Sequence, residues 1–506
     1  MQFMQLDFKF FQNQFLIATR SICQLTNWNQ ILIGQYFFYL HPTLKTAFAK
    51  NSKSQLVIIG DTFNPHHPTK SNQEIAYELN NKYEFFKTLV KSEDVFSLGG
   101  TYLIFHYCEK DNSLSVLGDT SMQRELYYLK QGNKTIALGA TDKLISKFFP
   151  VKEKENPLFK EFYKSDAFKK RKAFILDDTN YECLYRLKPN FYLNINTGEN
   201  VRFFPCEKIK PTSLTEASQK SSKIIANFIK AANHRYKVMI PVSAGWDSRL
   251  LLAASRSLKN EIVYYVLQTH IKGSRHFDIK TPRKLMAKLN LPIEIIDYSK
   301  NINSQEIEIV KNSISFYREK NLEYIINYFY KKHPGKLTLN GNISEIVRLE
   351  FDEVFNLTPK KIAFIQKYPS LKYVENEYEK WYKKNKSLFL KMGYRTLDML
   401  YWEENCANWV AKSKTEFRAY GIEVFSPFNS RELILTLYGL PKKYRRKQNP
   451  VVYKKMIEIL WPEVLQIPVN PGLKKIAMRI TQYLGIFPIF RNLKLWWNLF
   501  KGRKSW

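Results

Sequence analysis

Six residues, Ser243-Ala-Gly-Trp-Asp-Ser248, place two hydroxyls, a carboxylate and a glycine within reach of one another. The small side chains of Ser243, Ala244 and Gly245 let the backbone turn tightly and let a ligand approach the main chain. If a helix starts at this point, its unpaired N–H groups and the positive end of its dipole favour an anion. Ser243 and Ser248 add donors. Asp247 repels a bare phosphate, so it fits such a loop when it holds Mg²⁺ or orients water around one. A Gly-x4-Gly-Lys-Ser/Thr loop is excluded, because no lysine follows the glycine. The same six residues also read as a plain strand-to-helix turn capped by Asp or Ser. A second set, Gly341, Asn342 and Glu345, lies in Lys336-Leu-Thr-Leu-Asn-Gly-Asn-Ile-Ser-Glu-Ile-Val-Arg348. Asn342 can hydrogen-bond an intermediate but cannot act as a general base. Glu345 supplies a carboxylate. Here too the alternative is a turn, with Asn342 as its cap.

The flanking pattern says what must position these residues. Val238 to Val242 is a short apolar run, β-branched at both ends, as in a buried parallel strand. Asp247 and Ser248 are expected to open a helix through Arg256. A second buried strand is expected over Glu261 to Gln268, a helix from about Asp278 to Leu289, and a strand over Ile293 to Ile296. Strand and helix alternating at this spacing mean right-handed crossovers and a parallel sheet, with ligands at the carboxyl ends of the strands. Ser243, Gln268 and Asp297 belong to that edge. Asp278 reads as a helix cap, a role compatible with ligand binding. Ser213 and Glu216 have the spacing of a capping box, which starts a helix running to about Ala232. Residues 1 to about 205 are different. Leu56–Ile59, Tyr102–Phe105, Leu114–Leu117 and Thr135–Ala140 are closely spaced short strands, the pattern of packed antiparallel sheets.

A chain of 506 residues exceeds one core, so two domains are expected. The five cysteines are scattered, with no zinc or disulfide spacing, which indicates a reducing compartment. Met1 to Phe8 lacks the pattern of a signal peptide, and no apolar run reaches the roughly 18 residues of a membrane helix. The expected location is cytoplasmic, with a peripheral place at the membrane as an extension. The net charge is +33, and from Pro441 to Trp506 fifteen Lys/Arg face two acidic residues. Charge of this kind concerns partners rather than fold. An anionic membrane and an acidic polysaccharide are candidate neighbours, with nucleic acid behind them, and a general Lys-rich bias is the plain alternative. The last stretch, Phe490 to Trp506, is basic and Trp-rich. It suits either an interfacial helix or a docked terminal one.

Together these stretches resemble asparagine synthetases. Ser243, Gly245, Asp247 and Ser248 match the Ser-Gly-Gly-x-Asp-Ser loop of PP-loop ATP pyrophosphatases, with Ala244 in place of a glycine, tolerable where its φ is negative. Asp119, Leu126, Tyr127, Tyr128, Leu187, Pro189 and Tyr192 follow the glutaminase-like domain, with Asn190 at a usual glycine. Gly341, Asn342 and Glu345 align with that family's glycine, catalytic glutamate and metal-contacting aspartate. Val424-Phe-Ser-Pro-Phe-Asn-Ser430 resembles its third motif, with Asn429 or Ser430 where aspartate is usual. The resemblance implies an α/β fold: a parallel-sheet PP-loop domain behind a β-rich glutaminase-like sandwich of the N-terminal-nucleophile type. It implies domains at 1–205 and 206–480, with a basic Trp-rich segment at 481–506. It implies ATP at Ser243, Ala244, Gly245, Asp247, Ser248, Gln268, Asp278 and Gly341, Mg²⁺ at Asp247 and Glu345, and catalysis by Asn342, Glu345 and Lys474. Lys474 stands out of register with the family's lysine, and Lys475 is its alternative.

The implied reaction adenylates a small-molecule or peptide carboxylate, and ammonia or an amine then displaces AMP. Two rivals are a decayed nucleotide-binding protein linked to surface polysaccharide or the cell envelope, and a tRNA-modifying PP-loop enzyme. In the family's glutaminase, cysteine follows the initiator methionine. Here Gln2 stands in that place and has no nucleophilic atom. We therefore expect incubation of the protein with glutamine to release no glutamate and to leave no adduct with an affinity label for N-terminal cysteine. Glutamate release that survives removal of contaminating enzymes contradicts this.

Overall fold

Between Phe15 and Arg202 the apolar runs are short and closely spaced, and they pair antiparallel. The strands are β1 (Phe15–Ala18), β2 (Asn29–Ile33), β3 (Tyr36–Leu40), β4 (Thr46–Lys50), β5 (Ser54–Phe63), β6 (Gly99–Cys108), β7 (Ser113–Gly118), β8 (Tyr127–Gln131), β9 (Lys134–Gly139), β10 (Leu184–Arg186), β11 (Phe191–Asn194) and β12 (Glu199–Arg202). They form two six-stranded sheets, ordered β10-β8-β9-β1-β3-β2 and β12-β11-β7-β6-β5-β4. The computed structural model describes residues 10–268, 276–297, 305–316, 332–351, 353–447, 449–470 and 487–500. The inner faces meet: Phe15, Ile17, Phe38 and Leu40 of one sheet pack with Val57, Ile59, Leu103 and Phe105 of the other. β5 and β6 pair from Ser54↔Cys108 to Phe63↔Gly99 and are buried along their whole length. Both faces are covered, because helices cross the outside of this sheet. One of them, Asn72–Lys82, starts with a complete capping box between Ser71 and Glu74.

The second half is α/β, as its alternating pattern requires. The helix Leu214–Arg235 begins where expected, with the Ser213 side chain accepting from the N–H of Glu216. A parallel sheet follows: β13 (Val238–Pro241), β14 (Val263–Gln268), β15 (Glu294–Asp297), β16 (Leu337–Leu339) and β17 (Val424–Phe425), in the order β15-β14-β13-β16-β17. Every pairing in it is parallel. The chain steps outward from β13 through β14 to β15, then returns to add β16 on the other side of β13. The β13/β16 boundary is therefore a topological switch point, where loops diverge and leave a crevice at the carboxyl edge.

Two helix starts differ from the sequence reading. The helix after β13 is Trp246–Ala254, capped by Gly245 in extended conformation (φ −84°, ψ 167°) rather than opened by Asp247 and Ser248. Buried Trp246 anchors its first turn in the core. Ala244 is outside the positive-φ region, so its methyl group is tolerated. The next helix, Phe277–Lys288, is capped by His276, whose Nδ1 accepts from the N–H of Asp278 at 3.2 Å; Asp278 itself is not the cap.

The two halves share one apolar core. Leu56 and Ile58 of the sandwich, Phe228 of the helix Leu214–Arg235, and Val238 and Leu250 of the α/β half belong to a single buried cluster. A Cβ on Gly99 would lie 2.6 Å from the Phe228 ring, so the sandwich backbone and that helix approach more closely than any side chain allows. Polar contacts reinforce the junction. Buried Asp119 accepts from the N–H groups of Gln123 at 2.8 Å and Arg124 at 2.9 Å. It also accepts from Asn429 Nδ2 at 2.8 Å, while Asn429 Oδ1 accepts from Ser121 Oγ at 2.6 Å. Asn190, in the left-handed region at φ 70°, reaches Glu403 Oε1 at 3.0 Å. Glu403 also holds Arg202 at 2.6 and 2.9 Å and Trp381 Nε1 at 2.9 Å. It sits in a π-helix, Tyr401–Val410, whose Cys406 and Ala407 carbonyls accept from Gln123 and Arg186 side chains of the sandwich.

This junction explains why position 429 is an amide. Asn429→Asp would set two carboxylates against each other in a buried site. We expect the substitution to destabilise the protein by about 3 kcal/mol or more, measured by chemical denaturation, with partial recovery at acidic pH. Unchanged stability contradicts the assigned contact.

Candidate functional site

The loop after β13 is stitched by its serines. The N–H of Val242 still pairs with the Tyr265 carbonyl at 2.8 Å, and the chain then leaves the sheet. Ser248 Oγ accepts from the N–H of Ser243 at 3.0 Å and lies 2.8 Å from Ser243 Oγ, which accepts from the N–H of Gly245 at 3.2 Å. No side chain caps the helix Trp246–Ala254. Its first-turn N–H groups therefore face the crevice without a side-chain acceptor, the condition under which a helix N-terminus takes an anion.

The loop after β16 meets it directly. A Cβ on Gly341 would lie 2.4 Å from Asp247 Cβ, so glycine is required for this approach. Ser344 Oγ donates to Asp247 Oδ1 at 2.6 Å. Arg348 Nη2 lies 3.1 Å from Asp247 Oδ2 and 3.4 Å from Glu345 Oε1. Behind them, Tyr453 OH donates to the Ser344 carbonyl at 3.4 Å, and the Arg348 guanidinium sits 5.9 Å from the centre of the Tyr453 ring. Ile343 adopts φ 80° with its side chain buried. A β-branched residue there stores on the order of 1–3 kcal/mol of strain, which the Ser344 and Asn342 contacts on either side must hold. Asn342 is exposed, its carbonyl accepting from Ser426 Oγ.

A third segment closes the site from the C-terminal side. The N–H of Asn470 donates to the Ala244 carbonyl at 2.9 Å. Fully buried Arg249 donates to the carbonyls of Val464 at 3.0 Å, Pro468 at 2.9 Å and Ile467. Burial pulls the Arg249 pKa down to about 10. Lys474 lies outside the described residues, four positions beyond Asn470.

The structure therefore brings Ser243, Ala244, Gly245, Asp247 and Ser248 together with Gly341, Ser344, Glu345 and Arg348. Gln268 stands at the end of β14 and donates to Asp297 Oδ2 at 3.0 Å, its register partner on β15. Asp278 is engaged with His276. Neither Ser344, Arg348 nor Arg249 was assigned a role from sequence, although Arg348 lies three residues beyond Glu345, the spacing of a local ion pair.

Asp247 and Glu345, expected to hold Mg²⁺, instead converge on a guanidinium. Both Asp247 oxygens are engaged, by Ser344 and by Arg348. Among the described residues no group of three or more His, Cys, Asp or Glu side chains is arranged to hold a metal ion. In this arrangement both carboxylates are turned to Arg348, which supplies the positive charge where the two loops meet. Burial lowers the Arg348 pKa, but Asp247 and Glu345 more than offset this and hold it above the usual arginine value. Burial, with the Asp247 charge beside it, pushes Glu345 up to about 7, against the opposing pull of Arg348.

The sequence matches no protein-family model and no curated protein. Among solved structures the chain is similar to an NH3-dependent NAD synthetase from Campylobacter jejuni in complex with nitrate, at 20% identity over 37% of this chain and 81% of that one, with a TM-score of 0.20. It is also similar to a glutamine phosphoribosylpyrophosphate amidotransferase from B. subtilis complexed with ADP and GMP, at 10% identity over 62% and 89%, with a TM-score of 0.21. TM-scores this low carry no argument about activity. The coarse layout, an antiparallel sandwich followed by a parallel sheet with its small-residue loop, stands on the topology above and agrees with what the resemblance implies.

A folded-state pKa above the ordinary carboxyl value means the native protein binds a proton the unfolded chain has released. The resulting stability is fully present below about pH 4.5 and is lost as pH rises through about 7. We expect urea titrations to show wild type losing about 1–3 kcal/mol relative to Glu345→Gln across that window. Parallel pH profiles for the two proteins contradict the raised Glu345 value.

Proposed function

We propose that the chain is an ATP-dependent, adenylate-forming amide synthetase of the asparagine synthase type, acting on a small-molecule or peptide carboxylate. The observation that carries this reading is the meeting of two loops at the switch point, one with an uncapped helix start and two serine hydroxyls, the other with a guanidinium that pairs with Asp247 and Glu345. Neutral donors and one fixed cation suit a polyphosphate. The first-turn N–H groups, Ser243 and Ser248 would hold the departing pyrophosphate, and Arg348 would neutralise the charge that develops on it. A carboxylate oxygen of the acceptor attacks the α-phosphorus, the bond to pyrophosphate breaks, and an acyl adenylate forms. Ammonia or an amine then attacks the carbonyl carbon, AMP leaves with the C–O bond electrons, and the nitrogen sheds a proton. Asn342 offers neutral hydrogen bonds to the acceptor. Glu345, near neutrality in its pKa, can hold a proton beside the reacting groups. The nitrogen comes from solution or from a substrate amine.

A second reading has its own support. Asn342 stands where the resembled enzymes use glutamate, which favours a nucleotide-binding protein without turnover. Pyrophosphate release in an acceptor screen, run with and without tRNA, separates the three possibilities. Release with a carboxylate acceptor supports the synthetase, tRNA-dependent release supports the modifying enzyme, and ATP binding without release supports the decayed protein.

Calorimetry with ATP, with and without Mg²⁺, tests the site itself. Arg348→Gln removes a charge-assisted contact worth ~1.5–3 kcal/mol, so we expect a ten- to hundred-fold loss of affinity. Asn342→Ala should leave affinity nearly unchanged. Equal affinity in wild type and Arg348→Gln, or no binding to wild type, removes the nucleotide from this reading.

A further inference from the structure

The helix Phe487–Phe500 turns large apolar side chains toward water. Among its described side chains, Asn492, Leu495 and Asn498, spaced three apart, face inward; Leu495 is 1% exposed and Asn498 3%. Asn492 is fixed to the loop before Thr358. Its Nδ2 donates to the Glu353 carbonyl at 2.7 Å, and its Oδ1 accepts from the N–H of Phe355 at 2.9 Å. The outward side holds Leu493, Trp496 and Trp497, exposed by 58%, 60% and 45%. Phe355, beside Asn492, is 56% exposed. Among the described side chains, Asn492 and Asn498 face the protein with Leu495, while Leu493 and both tryptophans face outward, where hydrophobic burial alone would not leave them.

The surroundings are basic. Lys494 is exposed on the helix itself. Exposed Lys442 pairs with Glu353, whose carbonyl holds Asn492, and Lys443 follows it. Lys361 Nζ donates to the Phe355 carbonyl at 2.6 Å, next to exposed Lys360. Among the described residues no helix is long and apolar enough to cross a membrane. Tryptophan and leucine on one face, with lysines around it, suit the boundary between lipid headgroups and acyl chains, where indole rings sit with their N–H in the wet layer. We propose that this face seats the protein on an anionic lipid surface, with Leu493, Trp496 and Trp497 entering the headgroup region and the lysines bound to lipid charge. The surface is independent of the nucleotide reading, because it lies on a different element and needs no turnover.

The test is cosedimentation of the full chain with vesicles of phosphatidylcholine alone and of phosphatidylcholine mixed with phosphatidylglycerol. Wild type should pellet with the mixed vesicles, release at high salt, and leave the neutral ones in the supernatant. Trp496→Ser with Trp497→Ser should weaken pelleting by about tenfold or more at an unchanged melting temperature. Leu493→Ser should repeat the effect in milder form, and Lys494→Glu should weaken it in a salt-dependent way. Three results overturn the proposal: equal pelleting of wild type and the double tryptophan variant, a concentration-dependent dimer that the same substitutions dissolve, or duplex DNA binding that they abolish.

Discussion

Asp247 reaches across the switch point of the parallel sheet and is held there from a loop 97 residues further along the chain. Its partners, Ser344 and Arg348, make the contact both short and charged, and Gly341 makes it sterically possible. Everything at the site follows from this contact. The helix Trp246–Ala254 is oriented by it, so the uncapped N–H groups aim at the crevice between the loops. Glu345 is drawn to the same guanidinium, while burial and the neighbouring Asp247 charge raise its pKa against that pull. The strain at Ile343 persists because the residues on either side are fixed.

The sandwich is part of the same body. Its outer sheet supplies one wall of the core on which the helix Leu214–Arg235 lies, and that helix in turn supports β13. The polar junction adds directional constraints that apolar packing lacks. Asp119 turns its own loop and clasps Asn429, four residues past β17. Glu403 binds an arginine, an asparagine and a tryptophan from three segments. Asn190 and Asn429 are both amides facing a buried carboxylate from the other half, a matched pair of contacts between the halves. These contacts give the sandwich a structural role in supporting the α/β half.

The parallel sheet and the antiparallel sandwich were legible because periodicity and strand spacing are local properties of the chain. The β13 run, the Ser213 cap, β7 and β9 fall within a residue of where the pattern puts them, while β5 and β6 run up to three or four residues further at their ends than the apolar cores Leu56–Ile59 and Tyr102–Phe105. The helix start at Gly245 was misplaced, since Asp and Ser are strong caps and nothing local shows that Trp246 is anchored in the core. Asp278 was misjudged for a similar reason, because His276 takes the capping position. The pairing of Asp247 and Glu345 with Arg348 rests on a nonlocal fact. Sequence shows two carboxylates near a small-residue loop, but not that Arg348 folds back between them. Arg249 gave no signal of its role, since its three acceptors are carbonyls of a segment more than 200 residues away.

The charge of the site also bears on why Asn342 is neutral. With Glu345 protonated, the cluster of Asp247, Arg348 and Glu345 sums to zero; with Glu345 ionised it carries one negative charge. A glutamate at position 342 would add a second negative charge at the mouth of a crevice whose other donors are uncharged amides and hydroxyls. A divalent metal would offset that charge, but a single guanidinium already shared by two carboxylates would not. The amide at 342 and the guanidinium at 348 are therefore consistent choices. Together they keep the crevice from gaining a further negative charge beside Asp247 and Glu345.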